Sequence, residues 1–542
     1  MMNKWKQQNQ LYWGIILSVL CFGGFYDWTA VLLGAAVCVM GIVRIMKEKK
    51  TLITKSKGIW LILIQEICLL TAMFPAIDRG MNFVGILRFI PVIAWLFLSM
   101  QYSEEEKRKA LQAVPHMGCI SAFAGLAALI VPGAEEWLWS AERLGGFFQY
   151  SNTCAIFFLL GMMLLKREPA KFAKIQWTIL FWGILLTGSR TVMILLAAVL
   201  VCELFSKNTD KSQKYLILAN IGTGVMAAAV MVLLTGSYQN IARIATIFTS
   251  NSTFYGRLLY WKDAFELIVK HPLGLGWRGY QYIQPAIQTG VYSAMYVHND
   301  LLQTFLDGGW IAGAAMAALM IWQMRKSSYR FLLAILFLHC MVDIDLQYPA
   351  IWFIAILMFD FGNDFQALKR EKIVETGLCM GAAAILCTYF ILPFGAEFLG
   401  NYKEAVYFYP AYTQAKEELL RTTGNADEAV RLADEILEQN QYSSIAYDAK
   451  ALAAYMEEDV EKFVQYKEQV LNIERYDISQ YQDYAYLLQQ FEAYAQEKGD
   501  EVTRSYCAES YLGIQKRLDR VKSETSTLAW KLRDQPIVKL DE

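Results

Sequence analysis

The chain has 542 residues, 56% of them hydrophobic and 19% charged, with a formal net charge of −1. Soluble domains carry about 25% charged residues, so this composition excludes an ordinary soluble globular protein. The near-neutral balance, without a basic stripe, excludes a nucleic-acid partner. The charge deficit lies in residues 11–395, while 396–542 read as water-soluble. The expectation is an all-α protein: a polytopic membrane helix bundle over 1–395 and a soluble helical domain over 396–542.

A spanning helix needs about 20 mostly apolar residues. Thirteen spans are expected, near 11–26, 28–45, 58–77, 82–100, 110–132, 150–165, 174–187, 190–206, 215–235, 300–323, 329–347, 349–362 and 373–395. The first lacks a small-residue cleavage site and is followed at once by others, so it reads as a span and not as a cleaved signal. If the spans alternate, the basic runs at 44–57, 107–109, 166–174, 207–214, 325–330 and 369–372 share one side, the cytoplasm. The other side receives 75–81, 135–148, the turn at Gly188, a large loop over 236–298 and the turn at 343–349. An odd number of crossings in the plasma membrane puts the N-terminus in the cytoplasm and the C-terminal domain outside. The ten cysteines show neither a disulfide framework nor metal-ligand spacing and read as packing residues.

Arg79, Arg88, Arg143 and Arg190 lie at outer ends of spans, against the positive-inside trend. An arginine placed so is costly and by default functional. Together they suggest a pocket for a polyanion such as a lipid diphosphate, whose oxygens suit the planar guanidinium. Headgroup anchoring or a structural ion pair is the alternative for Arg79, Arg88 and Arg143.

The large loop also carries Arg257 and Arg278. Its Pro272, Gly274 and Gly276 form a tight turn, either to admit a sugar to the backbone or as plain loop geometry. Trp277, Tyr280, Tyr282, Tyr292 and Tyr296 could stack on sugar rings or serve as interfacial aromatics. Asn152 opens a span as a cap. The loop closes on His298, followed by Asn299 as a helix cap and Asp300 in the first turn. A histidine at a helix N-terminus beside arginines is kept neutral, able to take a proton from a hydroxyl. Asp343-Ile-Asp345 spells a DxD, a metal motif of sugar-nucleotide enzymes, on the face where nucleotide sugars are absent. His339 and His116 read as packed or interfacial residues, and His271 as a turn residue.

Arg257…Trp261, Pro272-Leu-Gly-Leu-Gly276, His298-Asn299…Gly308-Gly309…Gly313, Arg143-Leu-Gly-Gly-Phe-Phe…Asn152 and Thr187-Gly-Ser-Arg190 occur in that order over roughly residues 140–360. This pattern resembles the bacterial O-antigen ligase and polysaccharide polymerase superfamily. The resemblance implies an inverting, metal-independent membrane glycosyltransferase without a cofactor. Such an enzyme would move a glycan from an undecaprenyl-diphosphate carrier to an acceptor glycan, lipid or protein. It implies catalytic roles for His298, Arg257 and Arg190, and the candidate substrate-binding residues are Arg88, Arg143, Asn152, Arg278 and Asn299. Trp261 stands where the ligases usually have leucine, which leaves ligase and polymerase both open. A flippase for the same lipid-linked glycan predicts charges along the middle of several spans. A membrane-anchored interaction protein leaves the outer arginines and His298 without a role.

In the C-terminal domain Asp427-Glu-Ala-Val430 aligns with Glu461-Lys-Phe-Val464, and Tyr442 with Tyr476, at an offset of 34. This period resembles the tetratricopeptide repeat, a surface for a protein partner. An irregular helical bundle is the alternative.

Overall fold

The computed structural model describes residues 9–48, 51–167, 172–207, 209–235, 252–532 and 535. The membrane part runs α1 (Gln10–Leu20), α2 (Asp27–Glu48), α3 (Lys57–Ala72), α4 (Arg79–Ser99), α5 (Glu104–Ala110), α6 (Ala113–Ala128), α7 (Glu135–Leu138), α8 (Ser151–Arg167) and α9 (Ala173–Thr187). It continues through α10 (Arg190–Phe205), α11 (Lys211–Thr235), α12 (Ser252–Lys270), α13 (Gly279–Ile287), α14 (Asp300–Lys326), α15 (Arg330–Cys340), α16 (Pro349–Met358) and α17 (Arg370–Phe398). Each predicted span overlaps a helix. Among the described residues, five helical stretches are long and apolar enough to cross a membrane: Asp27–Glu48, Arg79–Ser99, Glu104–Ala128, Asp300–Lys326 and Arg370–Phe398.

The core forms around α16, whose ten residues are all buried because it is apolar on every side. Trp95 of α4 stacks on Phe353 at 4.3 Å and donates its indole N–H to the Phe353 carbonyl at 3.0 Å. At ~1.5 Å per residue, α15 and α16 each span about half of a ~30 Å bilayer core. The predicted spans 329–347 and 349–362 are therefore corrected. Residues 341–348 leave the helix and fold inward as a connector, burying Asp343 and Asp345 completely. Irregular backbone inside a bundle is tolerated where protein covers it.

The predicted loop 236–298 needs a second correction. Residues 236–251 lie outside the described ones, and most of the remainder is helical, as α12 and α13. Ala264, Leu267 and Ile268 recur at helical spacing and pack on Leu275, Tyr280, Ile283 and Leu306. The Pro272–Gly276 turn is shaped by packing against α14. There, Gly309 (φ 80°) breaks the helix. The Trp310 N–H turns to the Pro272 carbonyl at 2.9 Å, and the freed carbonyls of Leu306 and Asp307 accept from Leu275 and Gly276 at 2.7 and 3.1 Å. A Cβ on Gly309 would lie 2.4 Å from the Pro272 oxygen, and one on Gly274 would lie 2.5 Å from that of Asp307.

The two ends of the bundle gather different loops. At one end β1 (Leu52–Thr54) pairs antiparallel with β4 (Phe365–Ala367), and Arg167 donates to the Ser328 carbonyl. Every one of these residues belongs to a segment expected in the cytoplasm. At the other end lie the hairpin β2 (Trp139–Ser140) and β3 (Arg143–Leu144), with α12, α13 and the C-terminal domain.

That domain comprises α18 (Tyr402–Phe408), α19 (Thr413–Thr422), α20 (Ala426–Gln439), α21 (Ser444–Met456), α22 (Val460–Ile473), α23 (Ile478–Lys498), α24 (Glu501–Glu524) and α25 (Thr527–Leu532). Helix starts recur with the expected period, Ala426 with Val460 and Ser444 with Ile478. The capping bond recurs too: Asn425 accepts from Glu428 N–H and Asp459 from Lys462 N–H, both at 3.0 Å. The domain is fastened to the bundle. Tyr412 donates to Asp27 at 3.1 Å, Tyr409 donates to the Gly80 carbonyl at 2.9 Å, and Asn440 donates to Asp78 at 3.3 Å.

Candidate active site

Asp343, in the buried connector before α16, is the point on which three of the expected residues, Asn152, Arg257 and His298, converge. Its carboxylate accepts from the Tyr150 hydroxyl at 2.7 Å, the Asn152 amide at 2.7 Å, Arg257 Nη2 at 3.1 Å and its neighbour's N–H (Ile344) at 3.1 Å. Three of these donors are side chains, one of them cationic, and such donors hold a buried carboxyl in its ionised form. His298 Nδ1 lies 3.7 Å from the same carboxylate, an ion-pair distance longer than a hydrogen bond.

Each neighbour arrives on a different element. Arg257 comes from the first turns of α12. Asn152 sits in the first turn of α8, where it reads a partner across the bundle and does not cap its own helix. The Asn152 carbonyl oxygen accepts from Arg143 Nη2 at 2.8 Å, and Arg143 Nε donates to the Thr187 carbonyl at 2.7 Å. That carbonyl closes α9, one turn before Arg190, which starts α10 half-buried. The polar chain therefore runs from the α9–α10 turn through Arg143 and Asn152 to Asp343, and from there to Arg257 and His298.

His298 (φ 50°) occupies the left-handed region immediately before the Asn299 cap. Histidine is among the side chains that adopt this region more readily than most. Nδ1 is buried, and the Asp343 carboxylate faces it. Asn299 is the predicted cap, accepting from Leu302 N–H at 3.0 Å, and its amide donates to the Met341 carbonyl at 2.8 Å. Its side chain thus holds the His298 turn against the connector.

A cavity of about 490 Å³ opens beside His298 and Arg257, bordered also by Tyr260, Tyr292, Leu532 and Gln535. That size fits a small-ligand pocket of roughly 300–1,000 Å³.

Arg88 and Arg278 stand apart from this cluster. Arg88 is buried, paired with Asp27 at 2.8 Å and donating to the Phe25 carbonyl at 2.7 Å and the Gln347 carbonyl at 3.2 Å. Both guanidinium groups lie by the Trp277 indole, Arg88 at 5.2 Å and Arg278 at 4.7 Å from the ring centre. Their partners come from the protein. The aromatic set divides likewise: Trp277, Tyr280, Tyr282 and Tyr296 are buried, leaving Tyr292 and the unpredicted Tyr260 at the cavity. Arg79 is exposed at the start of α4.

The two DxD carboxylates serve different partners. Asp345 accepts from Thr153 at 2.9 Å and faces His339 at 2.5 Å, so His339 is a packed residue. Among the described residues, Asp300, Cys340 and Asp345 bring one potential metal-ligand atom each within 4.8 Å of one another, all buried. Asp343, the hub, and Tyr150 were missed as site residues. An ionisable residue flanked by apolar segments was the available signal for Asp343, and nothing marked Tyr150.

Arg190, Arg257 and His298 fall within one stretch of known pedigree. Residues 177–317 match the O-antigen ligase family. The match supports the O-antigen ligase superfamily and, with it, a glycan-transfer enzyme in a membrane. Arg143, Asn152 and Asp343 lie outside the matched segment. No curated protein matches the chain.

Proposed function

We propose that the protein is an inverting glycosyltransferase that moves a glycan from an undecaprenyl-diphosphate carrier to an acceptor hydroxyl. The observation that carries this reading is His298 Nδ1 facing the buried Asp343 at a cavity that Arg257 also borders. Asp343 fixes the ring so that Nε2 takes the acceptor proton. The acceptor oxygen then bonds to the anomeric carbon, and the bond to the diphosphate breaks with its electron pair. Arg257, Arg190 and Arg143 stabilise the departing diphosphate. No metal or cofactor enters this reading.

The membrane end carrying the β1–β4 pair is the cytoplasmic one, so the site and the C-terminal repeats face outward after an odd number of crossings. The repeats form a tetratricopeptide-like surface for a protein partner. Against a flippase, Arg143, Arg257, His298 and Asp343 gather at one end of the bundle. The test is purified protein in lipid vesicles given a polyprenyl-diphosphate-linked glycan and an acceptor glycan. Free polyprenyl diphosphate should appear in step with extended acceptor. Translocation of the donor without its cleavage would overturn the reading.

A further inference from the structure

The end of the chain returns to the site. Ser526 N–H donates to the Thr289 carbonyl at 2.9 Å, and Val291 N–H donates to Gln535 Oε1 at 2.7 Å. Gln535 Nε2 in turn donates to the Ala529 carbonyl at 3.0 Å, so one amide ties α25 to the 288–293 loop. The contact is close: a Cβ on Gly290 would lie 2.4 Å from the Ala529 Cβ. The receiving loop is held from below by Asp263, which accepts from Thr289 N–H and hydroxyl at 2.9 and 2.8 Å and from the Tyr292 hydroxyl at 2.9 Å.

This docking sets the shape of the reactive cavity. Arg257 and His298 form one wall, and Leu532 and Gln535 close it from the C-terminal domain. Tyr260 and Tyr292, their rings 4.5 Å apart, border the cavity between the two walls. Arg143, Asn152 and Thr187 do not line this cavity. Arg257 suits the diphosphate and His298 the acceptor hydroxyl, and Leu532 and Gln535 line the cavity at which both stand.

Resting on the glycosyltransferase reading, we propose that α25 and Gln535 form a wall of the acceptor subsite for a carbohydrate. In it, Leu532 and the two tyrosines meet the apolar face of the acceptor's terminal sugar, and Leu532 sets the size that fits. Gln535 is a positioning residue that holds α25 in place. A segment distant in sequence from the family-matched region thereby selects the acceptor.

The test uses the full-length protein with a fixed lipid-linked donor and acceptors whose terminal sugars differ in bulk. Leu532→Trp should raise KM for the bulkiest acceptor about tenfold, the scale on which an apolar pocket discriminates by size. Leu532→Ala should shift preference toward bulkier acceptors. Both effects should fall on the acceptor KM and leave the donor KM in place. Gln535→Ala should blunt the discrimination, and Gln535→Glu, which still accepts from Val291 N–H, should restore part of it. If the tryptophan variant fails to reach the membrane, the alanine variant carries the test. Identical acceptor KM values across the Leu532 series in a protein that transfers glycan would overturn the acceptor wall alone. A wild-type protein that cleaves no lipid-linked donor would overturn the transfer reading beneath it.

Discussion

Asp343 and His298 face each other at 3.7 Å, with Arg257 on the same carboxylate at 3.1 Å. The pair links the buried connector to the residue that precedes the Asn299 cap of α14. Its logic is that of a base held in one tautomer by an acid behind it. Asp343→Asn keeps the size but lets the ring take either tautomer, so turnover should fall by about 10²–10⁴-fold. Removing one partner of a buried ion pair costs about 3–5 kcal/mol, so folding must be followed beside turnover. Detergent size-exclusion and thermal unfolding supply that control. Normal turnover in a folded Asp343→Asn protein would leave Asp343 a structural residue.

His298 itself is tested by two substitutions. His298→Ala should reduce turnover by about 10²–10⁴-fold, the usual contribution of a positioned base. His298→Gln can still accept a hydrogen bond but takes no proton, so it should be nearly as inactive. Near-normal turnover of the glutamine variant in a purified assay would refute general-base catalysis.

These residues show how far the sequence reaches. The helical segments were legible because apolar runs of span length admit little else, and the helix start at Asn299 because asparagine caps. The α12 helix was hidden by the polar and glycine-rich stretch around it, although Ala264, Leu267 and Ile268 carry helical spacing. The grouping of the arginines was not legible. Arg88 and Arg143 look alike as outer-end arginines, and only tertiary pairing sends one to Asp27 and the other to Asn152. Asp343 reads as part of a DxD in sequence, but its partners come from the start of α8, from α12 and from the segment that leads into α14.

The division among arginines gives the third prediction. Arg257→Lys and Arg190→Lys keep one charge but lose the planar fork, so each should lower transfer strongly at normal membrane levels. Arg88→Ala strips the partner from buried Asp27 and should lower stability by about 3–5 kcal/mol. Thermal unfolding beside donor KM separates the two classes. A stable Arg88→Ala protein with a raised donor KM would move Arg88 into the donor site.

Topology is checked by a reporter fused after Glu542. The basic loops meeting at the β1–β4 end predict an extracytoplasmic C-terminus. An alkaline-phosphatase-type reporter should be active there and a cytoplasm-dependent one inactive. The reverse pattern would place the site on the wrong face for an undecaprenyl-linked donor that has already crossed.

The last prediction concerns pH and the docked domain. Glu417, on α19, receives the Ser443 hydroxyl at 2.6 Å, beside the junction that Tyr412 and Asn440 form with the bundle. Burial pushes its carboxyl up to about 7 from an ordinary 4.5; Asp78 and Glu418 add to the rise, while Ser443 and Arg421 oppose it. Below about 4.5 the group is protonated folded or unfolded, and its contribution to stability is fully present. As pH rises from there to about 7, the unfolded chain loses the proton that the folded domain retains, so that contribution drains away. Above about 7 the buried carboxylate is charged and the loss is complete. Glu417→Gln cannot titrate. The full-length variant should therefore melt above wild type at pH 8, and the gap should narrow as pH falls toward 5. Unfolding curves that stay parallel across this range would show that Glu417 does not tune the docking of the C-terminal domain.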